Sequence, residues 1–422
     1  MANIIGTRTQ LAYGTGGSQV TQTDLDKEVA SMLKHWDMDK SFLTLLTSGL
    51  DSKGKNSLQG KSLKSRDWSW HERTRRDRWA ANDSTQLTHA TTTINVTTDS
   101  GEQFNVGDVI QCMNPTSGET ANFQVTAITN DALTVIFIRA SDATPTTYSG
   151  PVAGLDPIVI LGNNSVENSS PPAAISTVKA KRYNVTSTIR TTANISRWLQ
   201  DSAHYSGGNP MTEESKGALV DHLISCESHI LFSKISAAHV AGFDDGALEG
   251  YHTYTSGVVE QILGQSGVEE DLDGEVLKYM DFVAWFGEVT RYGGNKLLLV
   301  PEDFLNAMAA WAEQIGQLKF DGSTKIYGVG PFHKLVTPHG TALLKRHGLL
   351  TDEYAQTVIC LDLNNFKVRA FNKTRMRAQK DIGTKGVDGR TDGYISDIGV
   401  ELSVGPSHGI LHGWDGYVEE VI

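Results

Sequence analysis

Residues 211–240, MTEESKGALVDHLISCESHILFSKISAAHV, carry the apolar pattern around which the rest of the chain is organised. Four residues recur at spacings of four, three and four, which predicts an amphipathic helix: Leu219, Leu223, Cys226 and Ile230. With Thr212 as N-cap, the predicted helix covers residues 212–238, roughly 40 Å at 1.5 Å per residue. This length suits either a long core helix of an enzyme or a spine that ties together the elements of a flat shell subunit.

Composition excludes several classes of protein. The chain has 422 residues, 39% of them hydrophobic, and no apolar run long enough to cross a membrane. The N-terminal residues lack a charged region followed by an apolar core, so we expect no signal peptide. Cys112, Cys226 and Cys360 are far apart, which argues for synthesis in a reducing compartment and against a disulfide framework.

Charge is distributed unevenly along the chain. The formal net charge is −12, which is unsuited to gripping the phosphate backbone of DNA tightly. Residues 51–80 hold nine Lys or Arg against four Asp or Glu, so this segment carries +5 and the other 392 residues carry −17. A basic segment on an acidic body predicts complementary contact between copies of the chain. The plainer interpretation is a solvated charged loop.

The same basic segment supplies the candidate interface residues. Polar and aromatic residues alternate over residues 64–73, as in a β-ribbon, with Trp68 and Trp70 on one face. Such residues could stack on single-stranded bases or form a protein–protein hot spot, and the acidic remainder favours the protein interface. The candidate inter-subunit residues are Lys61, Lys64, Arg66, Trp68, Trp70, Arg73, Arg75, Arg76, Arg78 and Trp79.

Flanking segments outline the other elements. Short β-runs separated by Gly-containing and Asp-containing turns predict a small all-β module, a barrel or sandwich, over residues 92–165. A long alternating strand follows over 183–195. Helices are predicted over 275–292 and 302–315, a loop region over 242–274, and further strands over 296–301, 325–336, 357–371 and 400–404, with a return at 408–414.

No catalytic, cofactor or metal site is predicted. HExxH and CxxC are absent, and His408 and His412 lie in a glycine-rich strand end instead of on a helix, where residues four apart stand one above the other. Asp362 and His339 could contribute to a triad only if the fold brings them together with a serine. The glycines at 293–294 follow a helix and precede a strand, the reverse of a phosphate-binding loop.

The order of motifs resembles the major capsid proteins of tailed bacteriophages, which have the Hong Kong 97-like fold. The resemblance covers nearly the whole chain. In chain order it is carried by SFLTLL (41–46), RDWSW (66–70), FNVGDVI (104–110), the strand 183–195 with the helix after it, GGNKLLLVP (293–301), GVGPFHKLVTP (328–338) and HGILHG (408–413).

The resemblance implies an α+β fold divided into regions with roles in a shell. These are an N-terminal arm and anchor (1–50), an extended loop (51–91), the inserted β domain (92–165), a peripheral domain with the spine helix (166–274), an axial domain (275–385) and C-terminal strands of the peripheral domain (386–422).

The resemblance also implies a structural function. Copies of the chain would form pentamers and hexamers of an icosahedral shell around double-stranded DNA, without sequence-specific binding, in a virion capsid synthesised in the host cytoplasm. The chain itself would be the main partner, with portal and decoration proteins and either a separate scaffolding protein or none as further partners, and no membrane. The alternatives are an encapsulin-like compartment, which packages a cargo protein, and an α+β enzyme of unidentified activity.

Overall fold

A computed structural model describes residues 61–74, 76–83, 86–97, 101–140, 148–150, 157–164, 174, 176–177, 179–201, 210–235, 254–315, 333–372, 376–383 and 389–417. The predicted arm and anchor over 1–50 lie outside the described residues. The chain divides into two compact units, a larger one of residues 1–70 and 182–422 and a smaller one of residues 71–181.

Five α-helices of the larger unit fall within the described residues. They are α1 (Arg197–Asp201), α2 (Pro210–Phe232), α3 (Val258–Gly264), α4 (Tyr279–Thr290) and α5 (Glu302–Ile315).

Eighteen strands are defined within the described residues. They are β1 (Asp67–Glu72), β2 (Trp79–Ala81), β3 (Thr93–Asn95), β4 (Asp108–Met113), β5 (Thr120–Thr129), β6 (Ala132–Ala140), β7 (Pro157–Asn163), β8 (Ala180–Val185), β9 (Ser187–Ser196), β10 (Val268–Asp271), β11 (Asn295–Val300), β12 (His333–Thr337), β13 (Gly340–Arg346), β14 (Thr357–Leu361), β15 (Phe366–Ala370), β16 (Arg377–Gln379), β17 (Gly389–Leu402) and β18 (Gly409–His412).

The smaller unit is a closed β-barrel. Its six strands lie in the order β2-β7-β4-β5-β6-β3, and an antiparallel bridge between Asn82 and Val96 joins the two end strands. Inward residues of each strand are apolar, and Ile110 and Phe123 are fully buried in the core. The predicted all-β module is therefore present, but it begins before residue 92, because β2 pairs with β7 and Ala80 packs on the barrel core.

A six-stranded mixed sheet forms the centre of the larger unit, in the order β10-β18-β14-β11-β13-β12. β11 and β14 read NKLLLV and TVICL, continuous apolar runs of the kind found where both faces of a sheet are covered. One face packs on α4 and α5, with Trp285 and Trp311 in its core. The other face packs on α2, α3 and the second sheet.

The second sheet of the larger unit is built on β17. β9 pairs along one edge of this fourteen-residue strand, and β15 and β16 pair along the other edge. α2 lies on this sheet, where Cys226 and Ile230 join a core that includes Ile189 and Val400. A separate two-stranded sheet, β1 with β8, lies where the chain passes from one unit to the other and back.

The spine helix is shorter than predicted. α2 begins at Pro210, in keeping with the preference of proline for the first turn, so Thr212 lies inside the helix. It ends at Phe232 instead of continuing to residue 238. The N–H of Gly257 donates to the carbonyl of Ser233 at 2.7 Å, and a Cβ at Gly257 would lie 2.9 Å from the carbonyl oxygen of Leu231. The close approach of the segment leading into α3 thus ends the helix.

The buried face of α2 also differs from the predicted stripe. Cys226 and Ile230 are buried as expected, but Leu219 and Leu223 are only half-buried. Two polar residues, His222 and Glu227, are fully buried in their place. The His222 ring lies 3.1 Å from the Thr191 hydroxyl and 2.8 Å from the Ser396 hydroxyl, and Glu227 Oε1 lies 2.8 Å from His347 Nε2. Hydrogen bonds to the sheet and to His347 therefore rotate the helix away from a purely apolar seam.

The two sheets of the larger unit do not divide the chain at residues 275 and 385. β10 and β18, which the resemblance assigns to the peripheral region, hydrogen-bond into the six-stranded sheet with the strands of residues 295–361. β15 and β16, assigned to the axial region, pair instead with β17. The chain crosses between the two sheets more often than a division at residues 275 and 385 allows, because strand partners are distant in sequence.

Candidate assembly interface

The basic and aromatic segment does not form one continuous ribbon. Residues 61–70 belong to the larger unit and residues 71–79 belong to the barrel unit. In β1 the burial alternates, with Trp68 and Trp70 half-buried on the same face, as the sequence predicts. Arg75 lies outside the described residues. The ten candidate residues therefore fall into two groups, which we consider separately.

Trp68 packs against its own subunit. Gly399 on β17 has no side chain, and a Cβ there would lie 2.3 Å from the Trp68 ring. The indole Nε1 is buried and has no hydrogen-bond partner among the described residues. Trp68 thus contributes to the fold of the larger unit, a role that its position in a basic segment does not indicate.

The cations near Trp68 are exposed, and their backbone is anchored. Lys61, Lys64 and Arg66 all have exposed side chains. The Lys61 carbonyl accepts a hydrogen bond from Arg369 at 3.3 Å, and the Arg66 carbonyl accepts one from the Thr186 N–H at 3.0 Å. The side chains are consequently presented on a fixed backbone, which reduces the entropy lost when such a surface binds a partner.

Two arginines of the barrel unit have defined partners. Arg73 is exposed, and its Nε donates to the Thr177 hydroxyl at 2.9 Å. Arg76 donates to Asp108 at 2.9 Å, and this carboxylate is only 3% exposed. A buried carboxylate requires its cation, so Arg76 has a structural role in the barrel.

Arg78 and Trp79 point outward. Arg78 is exposed, and Trp79 is 62% exposed although it lies in β2 directly opposite Val159 of β7. Tryptophan and arginine are the residue types most enriched at protein–protein hot spots. Among the described candidates, Trp79 is therefore an exposed aromatic side chain with an exposed cation, Arg78, next to it in the sequence.

The candidate catalytic groups are held in neutral or paired states. Burial lowers the pKa of His408 to about 4, its Nδ1 accepts from the Asp362 N–H at 3.2 Å, and its Nε2 faces the Ser403 carbonyl. The Asp362 carboxylate lies 3.5 Å from Nζ of the fully buried Lys296. His339 lies against Gly287, so it takes no part in the Asp362 pairs that the structure defines. The arrangement is a buried polar network that joins β11, β14 and the turn before β18.

His412 lies apart from this network. Its ring nitrogens lie 3.1 Å from Glu269 and 3.6 Å from Asp271 on β10, so His408 and His412 have different partners. No group of three or more metal-ligating side chains occurs in the described part of the chain. None of the helices described there combines the length and apolar character needed to cross a membrane.

Sequence reasoning missed the buried polar residues. Lys296 follows the glycine pair at 293–294. Its position at the start of an apolar strand was the one sequence signal that it is buried. Glu227 and His347 lie 120 positions apart, and no local pattern indicates their contact. Asn184, which donates to the carbonyls of Ser256 and Val400, was likewise hidden within an alternating strand.

A family model shows what class of protein carries this fold. The model of the SU10 major capsid protein matches residues 15–415. The chain belongs to this family of major capsid proteins, which are structural proteins. The resemblance to the major capsid proteins of tailed phages and the α+β, Hong Kong 97-like fold class are thereby confirmed.

Several solved structures are similar over part of the chain. The SrpI encapsulin of Synechococcus elongatus PCC 7942 is 9% identical, with a TM-score of 0.42 over 58% of this chain and 80% of that chain. The satellite phage P4 procapsid is 10% identical, with a TM-score of 0.37 over 61% of this chain and 80% of that chain. A structure from Mycobacterium phage Bobi is 10% identical, with a TM-score of 0.37 over 60% of this chain and 80% of that chain. No curated protein matches the sequence.

Proposed function

We propose that copies of this major capsid protein assemble into pentamers and hexamers of an icosahedral shell that encloses the double-stranded DNA of a tailed phage. The family match over residues 15–415 is the observation that carries the proposal. Heterologous interfaces close into rings when the rotation between copies closes, so one pair of surface patches can build both kinds of ring. The net charge of −12 suits a wall that does not bind its genome tightly.

The proposal extends to partners, location and regional roles. The shell would contain separate portal, scaffolding and decoration proteins, would need no cofactor or metal, and would catalyse no reaction. Its subunits would be synthesised in the host cytoplasm and end in the virion capsid. Of the residues predicted as the extended loop, 51–91, those before the barrel unit would lie over a neighbour, the barrel would face outward, and the six-stranded sheet would lie nearer the ring axes than the β17 sheet.

Electron microscopy of the purified recombinant chain tests this proposal. Closed shells with pentameric and hexameric units, large enough for a phage genome, are the expected result. Small shells that copurify with a protein cargo would instead support the encapsulin-like alternative. A persistently monomeric protein with a measurable turnover activity would support the enzyme alternative.

The exposed cations would make their contribution at subunit contacts. Exposed ion pairs are worth about 0–1 kcal/mol each, so the arginines should govern assembly rate and specificity more than total affinity. A buried tryptophan anchor is worth about 2 kcal/mol or more. An Arg73→Glu, Arg78→Glu chain, with Arg76 retained for the barrel, should fold but assemble poorly. If it assembles normally and its particles lose DNA, the nucleic-acid interpretation replaces this one.

A further inference from the structure

The barrel carries an exposed apolar patch with a cation beside it. Trp79 on β2 lies opposite Val159 on β7, and Leu161 follows two residues later on β7. Val106 adjoins this strand, because its carbonyl lies 3.5 Å from Asn163 Nδ2 at the end of β7. Together with the exposed Arg78, these residues define the barrel patch: Arg78, Trp79, Val106, Val159 and Leu161.

The exposure of the barrel patch is unusual for a surface that remains in water. Trp79 is 62% exposed, Val106 51% and Leu161 49%. The inward residues that alternate with the patch on β7, Ile158 and Ile160, are at most 1% exposed, so the barrel core is complete without it. Contiguous apolar surface with a tryptophan and an arginine is typical of a protein-binding site.

A surface of opposite charge lies on the larger unit. β10 is an edge strand, and carboxylates crowd it and the turn that follows. The Asp415 N–H donates to the Glu275 carbonyl at 3.0 Å, which brings one more carboxylate to this turn. Val276 and Met280, 41% and 57% exposed, lie beside it. We call this surface the acidic corner; its carboxylates are Glu269, Glu270, Asp271, Asp273, Glu275 and Asp415.

Few cationic groups offset the acidic corner within the described residues. His412 lies between Glu269 and Asp271, and Lys278 caps the start of α4. The corner therefore presents a concentration of negative charge together with two exposed apolar side chains. These are the properties that complement the barrel patch.

We propose that the barrel patch of one subunit docks on the acidic corner of a neighbouring subunit. Trp79 and Leu161 would pack on Val276 and Met280, and Arg78 would face the carboxylates. This inference rests on the proposed shell function and names the surfaces of one of its contacts. Two different patches meet, so the contact is heterologous and joins copies head to tail, as a ring requires.

Cross-linking of the full chain tests the contact directly. Cys112, Cys226 and Cys360 are buried, so added cysteines report with little background. Shells of a Leu161→Cys, Val276→Cys chain should form a ladder of disulfide-linked multimers on a non-reducing gel. The matched control is Ile138→Cys with Val276→Cys, because Ile138 is 50% exposed but lies on β6, three strands from β7 in the sheet order. The control pair should give no ladder.

Charge exchange supplies an independent measurement. Arg78→Glu should slow shell formation by tenfold or more in light scattering, as should Glu270→Lys with Glu275→Lys. The chain that carries all three changes should regain most of the wild-type rate, because attraction is restored with its sign exchanged. Two exposed carboxylates on α1 and α2, the helices that pack on β9 and β17, provide the control, and Asp201→Lys with Asp221→Lys should leave the rate near wild type.

The outcomes separate the contact from the function it rests on. Shells that form without a ladder from the test pair, or with equal ladders from both pairs, overturn the contact and leave the shell function intact. Failure of the three-change chain to recover also overturns it. Loss of encapsidated DNA at an unchanged assembly rate assigns the barrel patch to nucleic acid instead. If the unaltered chain forms no shells, the proposed function and this contact fall together.

Discussion

Truncation of Ile230 tests which face of α2 is buried. Ile230 is 1% exposed and packs with residues of both sheets, whereas Leu223, seven residues earlier on the same helix, is only half-buried. Ile230→Ala removes three carbon atoms, worth about 2.4 kcal/mol at roughly 0.8 kcal/mol each, and the cavity left behind raises the loss to about 3–4 kcal/mol. Leu223→Ala should cost about 1 kcal/mol, because solvent and neighbouring side chains can fill the space at a surface.

Urea unfolding of unassembled subunits, followed by tryptophan fluorescence, measures both losses. Seven of the eight tryptophans fall in the larger unit and only Trp79 in the barrel, so the signal follows the unit that contains α2. The two variants lie on one helix and both introduce alanine, and the difference in helix propensity between isoleucine and leucine is well under about 1 kcal/mol. Equal losses, or a larger loss for Leu223→Ala, would refute the assignment of the buried face.

Three further predictions concern the barrel, its arginines and a buried histidine. Residues 71–181 expressed alone should give a dispersed amide spectrum, since the barrel closes on its own core, and a collapsed spectrum would contradict this. Arg76→Met should lower the melting temperature of that fragment because it strands a buried carboxylate, whereas Arg78→Met should not; equal shifts would count against the distinction. Burial holds the pKa of His408 at about 4, below its ordinary 6.5, so the unfolded chain takes up the proton first as pH falls. Stability is full above pH 6.5 and should decline by about 3 kcal/mol as pH falls to 4, and His408→Gln should flatten that decline in urea titrations; an unchanged slope would exclude His408 as its source.

Local patterns were sufficient for several elements of this fold. The helix predicted over 302–315 matches α5 (Glu302–Ile315), because its apolar residues recur at helical spacing and acidic residues occupy its first turn. Alternation in the inserted module predicted strands whose inward residues close a barrel core. The alternation over residues 67–72 likewise placed Trp68 and Trp70 on one face of β1.

Contacts between distant residues could not be predicted in the same way. Hydrophobic periodicity assigned Leu223 to the core of α2, but His222 and Glu227 are buried because partners on β9, β17 and beyond β13 satisfy them. The interpretation of Trp68 as an interface anchor did not anticipate Gly399, some 330 residues later, which makes room for the ring. A charge count over 51–80 could not show that the segment is divided between two units.

The position of β18 sets an order of events during synthesis. This strand is the last in the chain sequence among the described strands, yet it lies between β10 and β14, with Ile410 opposite both Glu269 and Ile359. Until residues 409–412 have left the ribosome, the six-stranded sheet lacks β18. The edges of β10 and β14 that pair with β18 are then unpaired. The barrel, whose residues end near 181, can fold while translation continues. The larger unit closes after the barrel, so a nascent chain cannot present a finished subunit to its neighbours before residues 409–412 have been made.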